Sequence, residues 1–232
     1  MPLSRLVLFD IDGTLLSTNG HGVRAMMAAY AAVWGRDPSR VEYRMSGKTE
    51  LAICHELLGL LGFSRAEVEQ GLPRFWSLYP QELRRHIRPD TTTVHPGIRE
   101  LVQALRARED VVLGLLTGNC EGAAKVKIDV AGLAGFALGI YGEHHEERTA
   151  LGPLAIAAAR ERYGQEFRGK SIVIIGDTPN DIRCGRAVGA RTIAVGTGRM
   201  PLEQLAEHAP DFLFRDLADR AAVLAAIQAP LD

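Results

Sequence analysis

Leu6-Val7-Leu8-Phe9-Asp10-Ile11-Asp12-Gly13-Thr14 is the stretch on which the reading of the fold turns. A short, unbroken apolar run that stops at an acid is the pattern of a strand buried on both faces of a parallel sheet. The same pattern recurs downstream. Val111 to Leu116 stops at Thr117-Gly118-Asn119, and Ser171 to Ile175 stops at Gly176-Asp177. Thr192 to Val195 and Phe212 to Phe214 complete the set. Between these runs, apolar residues fall at helical spacing over Gly97 to Arg108, Glu121 to Ala131, Leu151 to Tyr163 and Asp181 to Val188, the last closed by Gly189. Strands alternating with helices predict a Rossmann-like parallel α/β sheet with right-handed crossovers, and ligands in such a sheet bind beyond the carboxyl ends of the strands. The polar residues that end the runs are therefore expected in one pocket.

From about residue 18 to 93 the alternation stops. This segment shows helical periodicity over His21 to Trp34, Thr49 to Leu61 and Ala66 to Arg85, without a buried strand. It reads as a helical domain (18–93) inserted after the first strand of a core made of 1–17 and 94–232. His86 to Pro96, with Thr91-Thr92-Thr93 and two prolines, is the expected return hinge.

Composition narrows the function classes. The 232 residues are 47% hydrophobic and 24% charged, enough to build a sizeable core. A formal net charge of -1 offers no global field to draw the chain onto nucleic acid or anionic lipid. The three cysteines, Cys54, Cys120 and Cys184, are odd in number and lack metal-ligand spacing, which argues against a disulfide framework and a structural zinc site. The four apolar residues before Asp10 are too few for a signal-peptide core, and no apolar run nears the roughly 20 residues that cross a bilayer. The expected compartment is a reducing cytoplasm.

Asp10 and Asp12 stand two apart at a turn that Gly13 eases. Two buried like charges imply a cation or a shared proton, and carboxylates can serve as a nucleophile toward phosphorus and as a general acid/base. Asp177 and Asp181, in Gly176-Asp177-Thr178-Pro179-Asn180-Asp181, repeat the theme, and such hard oxygen ligands suit Mg²⁺. Thr117, Gly118 and Asn119 offer a hydroxyl and backbone N–H groups for a phosphoryl oxygen. Plainer readings stand beside these: an acidic turn capping a helix at Asp10-Ile11-Asp12, helix capping by Asp177 and Asp181, and an ordinary turn at Thr117-Gly118-Asn119.

Taken together, Phe9-Asp10-Ile11-Asp12-Gly13-Thr14-Leu15, Leu116-Thr117-Gly118-Asn119 and Ile175-Gly176-Asp177-Thr178-Pro179-Asn180-Asp181 resemble the first, second and fourth motifs of the haloacid dehalogenase superfamily, in its phosphoglycolate-phosphatase-like branch with a helical cap. The resemblance implies a Mg²⁺-dependent phosphohydrolase acting on a small phosphorylated metabolite through an aspartyl-phosphate. Asp10 would be the nucleophile, Asp12 the general acid/base and Thr117 a phosphoryl ligand. Asp10, the Asp12 carbonyl and Asp177 would hold the metal, supported by Asp181. The family's third motif is a lysine, and Arg148 stands in its register. Lys125 and Lys127 are the other candidates, although their place on the helix after Thr117 reads as a solvated face. Ser46-Gly47-Lys48-Thr49 resembles the cap loop that reaches the substrate, where Lys48 would pair with a substrate anion and Thr49 would cap a helix. His144 and His145 read as surface residues. A mutase of the β-phosphoglucomutase type, a metal-free dehalogenase and a non-catalytic phospho-ligand-binding protein are the alternatives; Asp12 argues against the dehalogenase.

Overall fold

The computed structural model describes residues 4–230; the outermost residues of the expected core, 1–3 and 231–232, lie outside them. Arg5–Phe9 forms β1, at the centre of a six-stranded parallel sheet. On one side it pairs with β4 (Val111–Leu116) and through it with β5 (Leu138–Ile140), after the short strands β2 (Leu16–Ser17) and β3 (Thr93–Val94) described below. On the other side lie β6 (Ile172–Gly176), β7 (Arg191–Val195) and β8 (Phe212–Phe214). The spatial order β5-β4-β1-β6-β7-β8 reverses direction beside β1. That reversal opens a crevice at the carboxyl end of the central strand.

The apolar run at β1 is continuous because both faces of the sheet are covered. Val7 and Phe9 join a layer with Ile98, Leu101 and Leu105 of α4 (Ile98–Arg106) and Val223 and Ile227 of α9 (Arg220–Gln228). Leu6 and Leu8 face the other way, against Leu151, Ala155 and Ala159 of α6 (Leu151–Tyr163). This is the period-two alternation of a strand with a hydrophobic layer on each side. The helices α5 (Glu121–Val130) and α7 (Pro179–Ala187) follow β4 and β6 and start at the crevice. The short β5, and the helices α8 (Leu202–Glu207) and α9, are elements that the apolar patterning did not reveal.

Three helices, α1 (His21–Trp34), α2 (Glu50–Leu60) and α3 (Arg65–His86), make up the inserted segment. Thr49 caps α2 by accepting from the Ala52 N–H, and Ser64 with Glu67 forms a capping box on α3. Their cluster is built on stacked rings: Tyr30 and Phe75 lie 4.8 Å apart, Phe75 and Tyr79 5.4 Å apart. Cys120, Ala123 and Val126 of α5 complete this cluster, so α5 belongs to two apolar layers at once. The chain leaves and re-enters the sheet side by side, because β2 pairs antiparallel with β3.

Gly97 has φ 80°, and a Cβ there would overlap the Leu217 carbonyl beside α9. Gly97→Ala is therefore expected to destabilise the fold by about 1–3 kcal/mol. Thermal unfolding reads this directly, and an unchanged melting temperature would remove the contact from the account.

Candidate active site

The β1 backbone continues past Phe9 when the Asp10 N–H donates to the Ile175 carbonyl at 2.9 Å, which ties the two strand ends together. The chain then doubles back: the Leu15 and Leu16 N–H groups both bond the Ile11 carbonyl, and Gly13 sits at φ 83°. No helix follows directly, so the Asp10-Ile11-Asp12 turn is not a helix cap. Its tightness is set by Asp177, because a Cβ on Gly13 or on Gly198 would overlap the Asp177 carboxylate. Thr197 closes the same corner by donating its hydroxyl to the Gly13 carbonyl at 2.5 Å.

Asp10, Asp177 and Asp181 are all buried and present carboxylate oxygens within 4.8 Å of one another. Burial pushes Asp10 up to about 6, with Arg148 pulling it down and Asp181 and Asp12 pushing it further up. Asp177 is raised well above the usual carboxylate range, by burial first and then by Asp10 and Asp181. Asp181 has its oxygens committed. Oδ2 accepts from the Thr178 N–H at 3.0 Å and the Thr178 hydroxyl at 2.6 Å, a capping box on α7, while Oδ1 accepts from Arg148 at 2.5 Å. Asp177 is freer: Oδ1 accepts from the Thr14 hydroxyl at 3.2 Å and Oδ2 meets no donor among the described residues.

Arg148, in the short turn before α6, places one guanidinium nitrogen 3.0 Å from Asp10 and 2.5 Å from Asp181. Burial opposes its charge, yet Asp181 and Asp10 outweigh burial and hold its proton more tightly than usual. Its Nε is buried without a partner among the described residues. Lys125 is exposed and pairs with Glu121 at 2.9 Å one turn earlier.

Lys127 departs from the solvated face expected of it. Its side chain is 5% exposed, and its ammonium donates to Asp12 at 2.6 Å and to the Asn119 side-chain oxygen at 2.5 Å. The reason is geometric: residues two apart on a helix point about 200° apart, so Lys125 and Lys127 cannot share one face. Thr117 is fully buried and Asn119 nearly so. The Asn119 amide donates to Asp12 at 2.7 Å and to the Thr117 hydroxyl at 2.8 Å, so this side chain is occupied within the protein rather than presented to a ligand.

The Ser46-Gly47-Lys48-Thr49 loop meets this centre through its backbone. The Gly47 carbonyl accepts from the Asn180 amide at 2.6 Å, and a Cβ on Gly118 would overlap the Lys48 carbonyl. Thr49 donates to the Glu146 carbonyl at 2.7 Å, and the Glu50 N–H to the Gly118 carbonyl at 2.7 Å. Glu50, which sequence reading did not single out, is buried and accepts from the Cys120 N–H at 2.7 Å. The Lys48 side chain turns away, onto Glu56 and the Tyr43 hydroxyl, where it borders a cavity of about 250 Å³ that Arg148 also lines. His144 and His145 are exposed.

Residues 4–189 match the family model of haloacid dehalogenase-like hydrolases, and the chain belongs to that family. Phosphoglycolate phosphatase 1 of Pseudomonas aeruginosa is 26% identical over 223 residues, 94% of this chain and 78% of that one. A phosphoglycolate phosphatase of Chromobacterium violaceum is 28% identical over 198 residues, 84% of this chain and 86% of that one. Among solved structures, a β-phosphoglucomutase from Clostridium difficile superposes with a TM-score of 0.69 at 13% identity, covering 97% of each chain, a likeness of fold. Among the described residues, no helix is long and apolar enough to cross a membrane.

Removing Arg148 leaves Asp10 and Asp181 facing each other without a counter-charge. Arg148→Ala is expected to cost about 3–5 kcal/mol of stability, the scale for a broken buried pair. Denaturant unfolding of wild type, Arg148→Ala and Arg148→Lys measures it, with the lysine variant intermediate; equal midpoints for all three would mean that the charge is not needed there.

Proposed function

We propose that this hydrolase is a phosphatase that cleaves a small phosphomonoester, phosphoglycolate-like in size, through an aspartyl-phosphate on Asp10. One observation carries the reading: a buried carboxylate at the end of the central strand, with a guanidinium on one side and a second, donor-poor carboxylate, Asp177, on the other. Such a carboxylate is fixed in orientation beside a counter-charge, as a nucleophile toward phosphorus requires, and the named relatives supply the substrate class.

In the first step an Asp10 oxygen attacks phosphorus in line, the bond from phosphorus to the leaving oxygen breaks, and the departing oxygen takes a proton from Asp12. In the second, water attacks the acyl-phosphate while Asp12 takes back a proton; the bond between phosphorus and the Asp10 oxygen breaks, releasing phosphate and restoring both carboxyl groups. Arg148 offers its Nε, which has no partner among the described residues, to a phosphoryl oxygen and offsets charge on the transferring group. Thr117 and the Gly118 backbone stand at the carboxyl end of the neighbouring strand β4.

The acids fit Mg²⁺. Asp10 and Asp177 are hard ligands in a buried cluster that repels itself, and Asp177 keeps one oxygen without a donor among the described residues. These two and the Asp12 carbonyl would hold the ion, with Asp181 steadying Arg148 and α7 beside it. When bound, Mg²⁺ supplies the positive charge that lets nucleophile and phosphoryl group approach. The inserted helices, residues 18–93, serve as the cap over this centre, and Lys48, on the cavity wall shared with Arg148, meets the substrate once it exchanges Glu56 for an anionic ligand.

Asp10→Asn keeps the size of the side chain and is expected to lower phosphate release by at least about 10⁴-fold. Wild type should melt higher with Mg²⁺ present, by about 2.7 kcal/mol of added stability at a hundredfold excess over its dissociation constant, and Asp177→Asn should lose that response. Phosphate release from phosphoglycolate that survives excess chelator, or from Asp10→Asn, would sink the metal or the nucleophile assignment respectively.

A further inference from the structure

Lys127 enters the centre from α5, at the edge of the buried site. A lysine this deeply buried costs free energy unless its charge is met, and here Asp12 and Asn119 meet it directly while Glu50 of the inserted α2 adds its attraction from further off. The arrangement around Asp12 is lopsided. Its Oδ2 accepts both the Lys127 ammonium at 2.6 Å and the Asn119 amide at 2.7 Å, whereas its Oδ1 bonds no donor among the described residues. The Asp12 side chain remains 43% exposed, and Oδ1 is the oxygen that no donor of the described residues occupies. Asn119 is itself held by the Thr117 hydroxyl at 2.8 Å, which leaves the pair of donors little freedom.

We infer that Lys127 is a positioning residue for Asp12: with Asn119 it grips Oδ2, fixes the carboxyl rotamer and leaves Oδ1 as the atom that exchanges the proton with the leaving group. This rests on the phosphatase reading above. A carboxyl group free to rotate would spend part of its time with neither oxygen aimed at the leaving atom, so loosening the grip slows the step that needs the proton and spares a step that does not. Glu50 links the grip to the inserted helices, because its carboxylate is held by the Cys120 N–H at the start of α5.

The test uses wild type, Lys127→Met, Asp12→Asn and the double variant, with Mg²⁺, on aryl phosphates running from p-nitrophenyl to phenyl phosphate. The p-nitrophenolate departs with little need of a proton; phenolate needs one. Lys127→Met is expected to lower kcat for phenyl phosphate by about 10²-fold, the lower end of what general acid catalysis contributes, and for p-nitrophenyl phosphate by less than about tenfold. In the double variant, rates should lie within about threefold of Asp12→Asn alone, since a grip has no value without the group it holds. Asn119→Ala, which takes away the other donor but leaves the Lys127–Asp12 ion pair in place, should show the same leaving-group selectivity and decides the matter if Lys127→Met does not fold. Equal losses across the panel, or losses that multiply in the double variant, overturn the role of Lys127 while leaving the phosphatase reading in place. No phosphate release by the wild type from any of these esters overturns the phosphatase reading, and the inference with it.

Discussion

Four carboxylates, Asp10, Asp12, Asp177 and Asp181, gather at the carboxyl ends of two neighbouring strands, and their mutual repulsion is what the surrounding structure must contain. At the screening typical of a protein, two unit charges roughly 4 Å apart repel by about 4 kcal/mol. The containment is specific to each acid. Arg148 stands between Asp10 and Asp181, and Lys127 takes Asp12. Among the described residues Asp177 receives only the Thr14 hydroxyl, and it is boxed in by two glycines, which makes it the natural partner for an added cation. A sheet covered on both faces gives the rigidity this demands, since β1 is tied to β4 and β6 along its length.

The inserted helices meet this centre mainly through backbone. Gly47, Lys48 and Glu50 touch Asn180 and Gly118 with main-chain atoms, and the absence of a side chain at Gly118 is what allows the approach. Backbone contacts of this kind fix the distance between the two parts whatever side chains the loop carries. The chemistry of the cavity wall is thereby separable from the closeness of the fit: Lys48 and Glu56 can vary without moving the acids.

Much of this arrangement is legible in the sequence because strand ends are. An apolar run that stops at a polar residue marks both a buried strand and the place where its last side chain emerges, so Asp10, Asp177 and Thr117 could be assembled without coordinates. Asp181 is readable in both of its roles, as the third residue of a helix after Thr178 and as an acid near the crevice. The residues misread or missed are those whose partners lie far along the chain. Lys127 sits in a helix with ordinary polar neighbours, and the one local signal is its offset from Lys125. Glu50 looks like any acid in a first helical turn; its partner, the Cys120 N–H, is 70 residues away. The strand β5, three residues long with a central glycine, has too little apolar length to stand out.

The double membership of α5 has a thermal consequence. Lifting the inserted helices from the sheet would strip Cys120, Ala123 and Val126 of their apolar partners and wet both sides of that seam. Hydrating apolar surface raises the heat capacity, so the free energy of such an opening bends with temperature instead of following a straight line. On cooling, the attraction across the seam weakens while the hydrogen bonds from Gly47 and Glu50 persist. Cooling would thus shift the balance between the two parts toward polar contacts, and warming toward the packing on α5.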